Sequence, residues 1–462
     1  MSAIITNEFR LDATQRFVSS LAQQTFDSNG NNLQDNYYVA LGRAMAWDDE
    51  TSPDEPYEND GTINNLWDNL YGLKKVDTNE IVSAAPCKLW ATGRTYNEYD
   101  DQLPDIEAES VEYFIITNNN NVYVCIKSGP AGSTINPDTI GPKLTGVEEL
   151  SDKYTWKYLF TVSIGTTDKF LTTDFVPVQY VTSNPGPDAD LALQNQWSTQ
   201  ENAIDGALYN IKLTNAGGSV YTSAPTLTIT GDGSGATAHV VMETADDGTG
   251  TLVETGYIDD MIIDTPGLGY SHATVVVSGG GGADAAGRCV IGPKGGFGAD
   301  PRRDLRSHYI ALNKVFLGSD AIPNTNEFRQ IALIKNPLAA NGSIASDPVY
   351  NACQSLEVTT NSTYTPDMLI KGTLSDARAR VVSYDDTNGI IFFTQDLSTG
   401  YVTFVVNDVI REASEDTGGA TVSQFNSADI KQYSGDVVFI ENRQAVSRGE
   451  DQIETIRLVL AF

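Results

Sequence analysis

The residues best suited to chemistry in this chain are its carboxylates. Asp48, Asp49, Glu50, Asp54, Glu55, Glu58 and Asp60 crowd one stretch, and hard oxygen ligands of that kind suit calcium. Their spacing lacks the alternating ligand order and central glycine of an EF-hand loop, so a solvated acidic loop is the simpler expectation. Asp232-Gly233-Ser234-Gly235 reads as a tight turn or, alternatively, as a small calcium-binding turn. The glycines at 279 to 282 suggest a phosphate cradle, but no Lys-Ser or Lys-Thr pair and no strand-to-helix context follows them, which excludes a P-loop.

His239, His272 and His308 bring no companion ligands at metal spacing, and Cys87, Cys125, Cys289 and Cys353 form no CxxC pair. They read as structural histidines and as buried free thiols of a protein made in a reducing cytosol. A retaining glycosidase needs two carboxyl groups roughly 5 Å apart, and an inverting one a wider gap. With 61 Asp plus Glu, the sequence neither selects nor excludes such a pair. No catalytic, cofactor or metal site is assigned, and the chain is read as a non-enzyme.

Composition narrows the partners. The 61 acids face 29 Lys plus Arg, for a formal charge of -32. That balance disfavours nucleic acid, whose phosphates need clustered cations. At 40% hydrophobic and 19% charged residues, the chain is a folded protein long enough for more than one domain. Met1-Ser2-Ala3-Ile4-Ile5 lacks the charged start and apolar stretch of a signal peptide, so the sequon Asn361-Ser362-Thr363 carries no weight. No run approaches the about 20 apolar residues of a membrane span. Synthesis in the cytoplasm, with no membrane partner, is expected.

The elements that position these residues are mainly strands. A helix is expected from about Asp12 to Gln24, with Asp12 as N-cap and Phe17, Val18 and Leu21 on one stripe. Tyr37 to Leu41 reads as a strand, followed by Gly42-Arg43 and Trp47, then the acidic loop. A second helix near Asn65 to Lys75 carries Trp67. Val111 to Ile116 and Val122 to Ile126 flank a turn of four asparagines and form a hairpin. Tyr154 to Phe160, with Trp156, and Phe175 to Val178 add two more strands.

Downstream, Phe328-Arg329-Gln330 opens a strand that Asn336-Pro337 stops, because proline cannot donate to the ladder. Val437 to Ile440 reads as a buried strand before Glu441-Asn442-Arg443. From Glu454 on, Ile456, Leu458, Leu460 and Phe462 alternate on one face, which predicts a packed terminal strand with Phe462 tied down.

These blocks, in this order, resemble one family: the baseplate wedge subunit, gene product eight, of T-even-like contractile-tailed bacteriophages. The resemblance rests on the strand with Gly42, Arg43 and Trp47, the acidic loop and Trp67 helix, the Trp156 strand, Phe328 to Pro337, and Glu441 to Arg443 with the apolar end. It covers roughly residues 1 to 200, 303 to 340 and 430 to 462. It implies a structural virion protein of the tail baseplate, a homodimer within each wedge, contacting proteins similar to gene products six, seven and ten. It implies no cofactor. Arg43, Trp47, Arg329 and Glu441 to Arg443 are then subunit-contact candidates or, alternatively, core and strand-end positions.

Two stretches depart from that family. Residues 204–296 are glycine-rich and repeat: Leu213 to Val241 and Ile262 to Val290 superpose at a shift of 49, the spacing of Tyr221 and Tyr270. Residues 352–427 read as a small β unit with strands at Met368 to Ile370, Ala379 to Val382, Ile390 to Phe393 and Tyr401 to Val406, and an Asn388-Gly389 turn. The expected fold is therefore mostly β. It has a β-sandwich core in three parts, 1–203, 297–351 and 428–462, with helices on connections and two inserted β modules. The rival reading is a glycan-binding or polysaccharide-degrading β protein, suggested by the glycine-rich repeats, the acids and the 21 tyrosines.

Overall fold

The computed structural model describes residues 4–22, 35–103, 110–141, 144–359 and 362–462; Asn361 of the sequon lies outside them. The chain is mostly β and divides into two compact units. One comprises residues 1–15, 82–311 and 459–462, the other residues 16–81 and 312–458.

The second unit is built on a five-stranded antiparallel sheet in the order Val349–Asn351, Leu70–Lys75, Tyr37–Gly42, Asn326–Lys335, Asp436–Arg448. Every residue of the central strand Tyr37–Gly42 is buried, so its apolar run is continuous rather than alternating. The helix Asp60–Asn69 covers one face with Leu66 and Trp67, and the Asn59 side chain caps it by accepting from the Thr62 N–H.

Three expectations are corrected here. The second helix ends at Asn69, and Leu70–Lys75 is a strand hydrogen-bonded on both sides. Gly72 lies in it, and a Cβ there would come within 2.8 Å of Ile322 Cδ1. Val437 to Ile440 belongs to an edge strand and is only half-buried, with Val438 46% exposed. The first helix is Asn7–Ala22, because Thr6 already accepts from the amides of Phe9 and Arg10. Asp12 therefore sits inside the helix rather than capping it, and Gln23 and Gln24 lie outside the described residues.

Within the same unit, residues 354–426 close a six-stranded barrel, ordered Gln354–Val358, Ile390–Thr394, Arg378–Asp385, Leu369–Gly372, Val409–Glu412, Ala420–Asn426. Its core holds Leu356, Ile370, Val381, Ile391, Phe393, Ile410 and Val422. The Asp386 to Gly389 turn joins two of its strands as expected, with Gly389 at φ 70° and Asn388 bonded to Asp385. Tyr401 to Val406 is not a strand. Only Phe404 enters the core, while Tyr401, Val402, Val405 and Val406 are 44 to 52% exposed. Side chains hold its backbone instead: Gln395 donates to the Val402 carbonyl and Asp408 accepts from the Val405 N–H.

The first unit contains a four-stranded sheet, ordered Phe114–Ile116, Asn121–Lys127, Thr155–Thr161, Glu148–Glu149. The asparagine turn is a hairpin turn, with Asn120 at φ 63°. Trp156 is buried and stacks on Tyr154 at 5.7 Å between centroids.

The repeat at 204–296 forms three two-stranded ribbons, and each pairs a strand of one copy with a strand of the other. Leu208–Asn215 pairs with Ala286–Ile291, Thr226–Gly231 with Ala273–Ser278, and Ser234–Asp246 with Leu252–Leu268. The copies interlock at their tyrosines. A Cβ on Gly233 would lie 2.5 Å from Tyr270 Cγ, and one on Gly282, its equivalent, 2.5 Å from Tyr221 Cγ. Each ring therefore fills the space that the other copy's glycine leaves empty.

Phe462 is 37% exposed, which corrects the expectation of a packed terminal side chain, although its N–H donates to the His308 carbonyl at 3.0 Å. Ile456 and Leu458 are each 2% exposed and form the buried face of the terminal strand Ile453–Ala461, which Glu454 shares.

Candidate functional site

The residues that carried the sequence motifs come together in the second unit, Trp156 excepted. The Tyr37–Gly42 strand stops because Arg43 adopts φ 57°, and its N–H bonds back to the Asn69 carbonyl. The corner is closely packed, since a Cβ on Gly42 would lie 3.1 Å from the Asn69 carbonyl oxygen. The turned chain lays the Arg43 guanidinium over the Trp47 ring at 3.7 Å. Trp47 donates through Nε1 to the Arg443 carbonyl at 2.9 Å and through its backbone N–H to Glu50 at 2.8 Å.

Arg329, 6% exposed on the neighbouring strand, completes the cluster. Its Nε donates to Glu50 at 2.6 Å, one terminal nitrogen to the Ala44 carbonyl at 2.7 Å, and the other to Glu327 at 2.5 Å. Burial, and then the nearby charge of Arg329, lower the pKa of Arg43. Burial works to raise the Glu50 carboxyl, but the Trp47 N–H and Arg329 outweigh it and hold the group below its usual range. Gln330 donates to Asn442 at 2.8 Å, Asn442 to the Asp54 carbonyl at 2.7 Å, and Gln444 to the Thr51 carbonyl at 3.2 Å. Arg443 pairs with Glu441. The arrangement pins the acidic loop along the edge strand, covering backbone groups that an open edge would leave unpaired.

The remaining motif residues are architectural. Phe328 and Trp67 are buried. Asn336, at φ 49°, accepts from the Asn36 N–H and donates to Asp35, each at 2.8 Å. Pro337 follows where the strand ends at Lys335, and a Cβ on Gly435 would lie 2.7 Å from its nitrogen. Sequence reading missed Glu50 as the anchor of this network. Among seven similar acids nothing in its spacing marks it, and only the position of Arg329 does.

It also missed Asp68, a buried carboxylate on the Trp67 helix. Asp68 accepts from the Tyr401 hydroxyl at 2.8 Å and from the Tyr433 hydroxyl. Burial, then the bond to Asp68, pushes the Tyr401 phenol up to about 12. A separate cleft of about 1070 Å³ in this unit is lined by Asp320, Asp385, Asp386, Asp429 and Glu450, with Tyr384 and Phe392 beside them. Lys74 neutralises Asp320 at 2.7 Å, Asn388 donates to Asp385, and the Asn351 N–H donates to Asp429.

The other carboxylates considered for metal binding are spent or dispersed. Asp232 accepts from the Ser271 amide and hydroxyl and from the His272 amide, which hold it well below the usual carboxylate range. In the acidic loop Asp48, Asp49, Asp54, Glu55, Glu58 and Asp60 are exposed. Among the described residues no three His, Cys, Asp or Glu side chains gather as metal ligands. Cys125, Cys289 and Cys353 are buried, Cys87 is half-buried, and all are free. His239 bonds Asp264 at 2.7 Å, and His308 bonds the Arg306 carbonyl at 2.8 Å. No helix among the described residues is long and apolar enough to cross a membrane. Comparison of the chain with protein-family models and with curated proteins finds no match.

Proposed function

We propose that this chain is a structural subunit of a contractile phage tail, similar to the baseplate wedge subunit called gene product eight. It is made in the host cytoplasm and carried into the virion by assembly. Its role is mechanical: a homodimer in each wedge links neighbouring wedge proteins and rearranges its contacts when the sheath contracts. It has no enzymatic activity and needs no cofactor. The observation that carries this reading is the convergence of the residues that carry the resemblance on the acidic loop: Trp47 and Arg329 meet at Glu50, Arg43 covers the Trp47 ring, Trp47 bonds the Arg443 carbonyl, and Gln330 reaches the Asp54 carbonyl through Asn442. Residues that serve one another in this way suit a rigid frame rather than a site open to substrate.

The test is sedimentation of the purified chain at low and moderate salt, then mixing with the tail proteins encoded beside it. A dimer that enters a complex with them is the expected result. A monomer under all conditions that joins no complex overturns the reading. A glycan-binding role is the second reading, favoured by the cleft that sets Tyr384 and Phe392 among carboxylates, hydroxyls and amides. Glycan-array binding lost in Phe392→Ala, with the dimer intact, would select it.

A further inference from the structure

The long hairpin of the glycine-rich module, Ser234–Asp246 with Leu252–Leu268, has two halves of different character. Toward its base the strands turn Val240, Met242, Ile258 and Met261 into the module's core, none more than 9% exposed. Beyond Met242 the alternation stops. Glu243 to Asp246 on one strand and Leu252 to Glu254 on the other are exposed on both faces. Leu252 is 68% exposed, Val253 45% and Tyr257 39%. A two-stranded ribbon covered on neither face is marginal in water, and Leu252 and Val253, neighbours in the strand, leave an exposed apolar side chain on each of its faces.

The charge of the hairpin says what covers it. From His239 to Asp264 it carries Glu243, Asp246, Asp247, Glu254, Asp259, Asp260 and Asp264, with no Lys or Arg. Lys127 pairs with Asp260 and His239 hydrogen-bonds Asp264, both toward the base. At the tip, Asp246 and Asp247 accept from the turn amides of Gly248 and Thr249, and Glu243 from the Thr255 hydroxyl. Those bonds fix the carboxylates but leave their charge uncompensated. Nucleic acid and anionic membrane would be repelled. A second copy meeting the hairpin through its own hairpin would bring the same carboxylates to the same place.

We propose that the distal hairpin, Glu243 to Tyr257, is a docking arm for a basic protein surface. An apolar cleft on that surface grips both faces of the ribbon, taking Leu252 on one and Val253 on the other, and its Lys or Arg side chains answer Asp246, Asp247 and Glu254. The identity of the partner as a neighbouring wedge protein rests on the reading above, whereas its chemistry does not.

The full-length chain is titrated with the tail proteins encoded beside it and, in parallel, with a synthetic strand peptide alternating Leu and Lys. Two tip variants are compared: Leu252→Ser with Val253→Ser, and Asp246→Asn with Asp247→Asn and Glu254→Gln. A control removes three exposed charges elsewhere: Asp54→Asn, Glu55→Gln and Glu58→Gln. Both tip variants should weaken binding at least about tenfold, and the control by less than about twofold, with melting temperatures unchanged because these side chains are exposed. Equal binding by wild type and tip variants overturns the arm, as does an equal loss in the control, which would mean diffuse charge. If no tail protein binds the wild type, the wedge reading falls. The peptide then decides for the arm, and failure of the peptide to bind overturns it.

Discussion

Trp47 donates its indole N–H to the carbonyl of Arg443 across 2.9 Å, while the Arg43 guanidinium covers the same ring at 3.7 Å. One side chain thus ties an irregular acidic loop to an edge strand from the far end of the chain. Trp47→Phe keeps an aromatic face and loses only the donor, so it should cost about 1 kcal/mol in urea unfolding. Trp47→Ala also loses the cation–π contact and should cost about 2 kcal/mol. Wild-type stability in both variants would show that the loop is held elsewhere.

The interlocked repeat predicts paired effects. A Cβ at Gly233 or Gly282 would meet a tyrosine ring carbon at 2.5 Å, so Gly233→Ala and Gly282→Ala should each destabilise by about 1 to 3 kcal/mol. Because the clash is with Tyr270 and Tyr221 respectively, Tyr221→Ala should relieve Gly282→Ala and not Gly233→Ala. Double-mutant cycles by denaturant unfolding check this. Equal coupling in both combinations would remove the crossed pairing.

Asp304 predicts a pH dependence. Its carboxyl is buried and accepts from the Gly298 N–H at 2.7 Å; burial, with Asp300 adding to it, pushes its pKa up to about 8 against the pull of that hydrogen bond and of Lys157 and Arg303. The unfolded value is about 3.9, so folding binds a proton between these limits. The stability contributed by this group is full below pH about 4 and is lost as pH rises through about 8. Asp304→Asn cannot ionise. Its stability relative to wild type should therefore rise from pH 4 to pH 8 and level off above, measured by urea unfolding. A difference independent of pH would show that the carboxyl ionises normally.

Trimming the glycine-rich module should depend on where the cut is made. Asn215 and Ala286 are cross-strand partners, so replacing residues 216–285 by an Asn-Gly turn closes a hairpin without strain. That deletion should remain soluble and melt cooperatively. Removing 206–296 instead takes Tyr209 and Val290 from the hydrophobic cluster around Phe114 and Phe297. It also takes the partners of Asp100, Lys212 at 2.8 Å and Arg288 at 2.5 Å. This larger deletion should aggregate, and the idea fails if the two behave alike on size-exclusion chromatography.

The terminal strand offers a contrast between neighbours. Leu458 is 2% exposed and Phe462 is 37% exposed. Leu458→Ala should cost about 2 to 5 kcal/mol, whereas Phe462→Ala should lower stability by less than about 1 kcal/mol. Thermal melting separates them, and equal shifts would contradict the burial.

The sequence by itself determined much of the local structure. Four asparagines made a turn, Asn336-Pro337 ended a strand, and Tyr37 to Leu41 had to be extended, because turn chemistry and side-chain period act over a few residues. The shift of 49 between Tyr221 and Tyr270 was also legible. What the tertiary structure alone decided was pairing. Nothing near Gly72 says that Leu70–Lys75 leaves its helix to join two strands, one of them at Val349–Asn351. Nor does Tyr401 to Val406 reveal that Gln395 and Asp408 hold its backbone outside the barrel. The motif residues could be picked out one by one, but the meeting of Trp47 and Arg329 at Glu50 could not, because a hydrogen bond depends on where distant strands bring two atoms. Local sequence sets the dihedral preferences of each segment, and burial against remote segments decides which face, and which partner, each one finds.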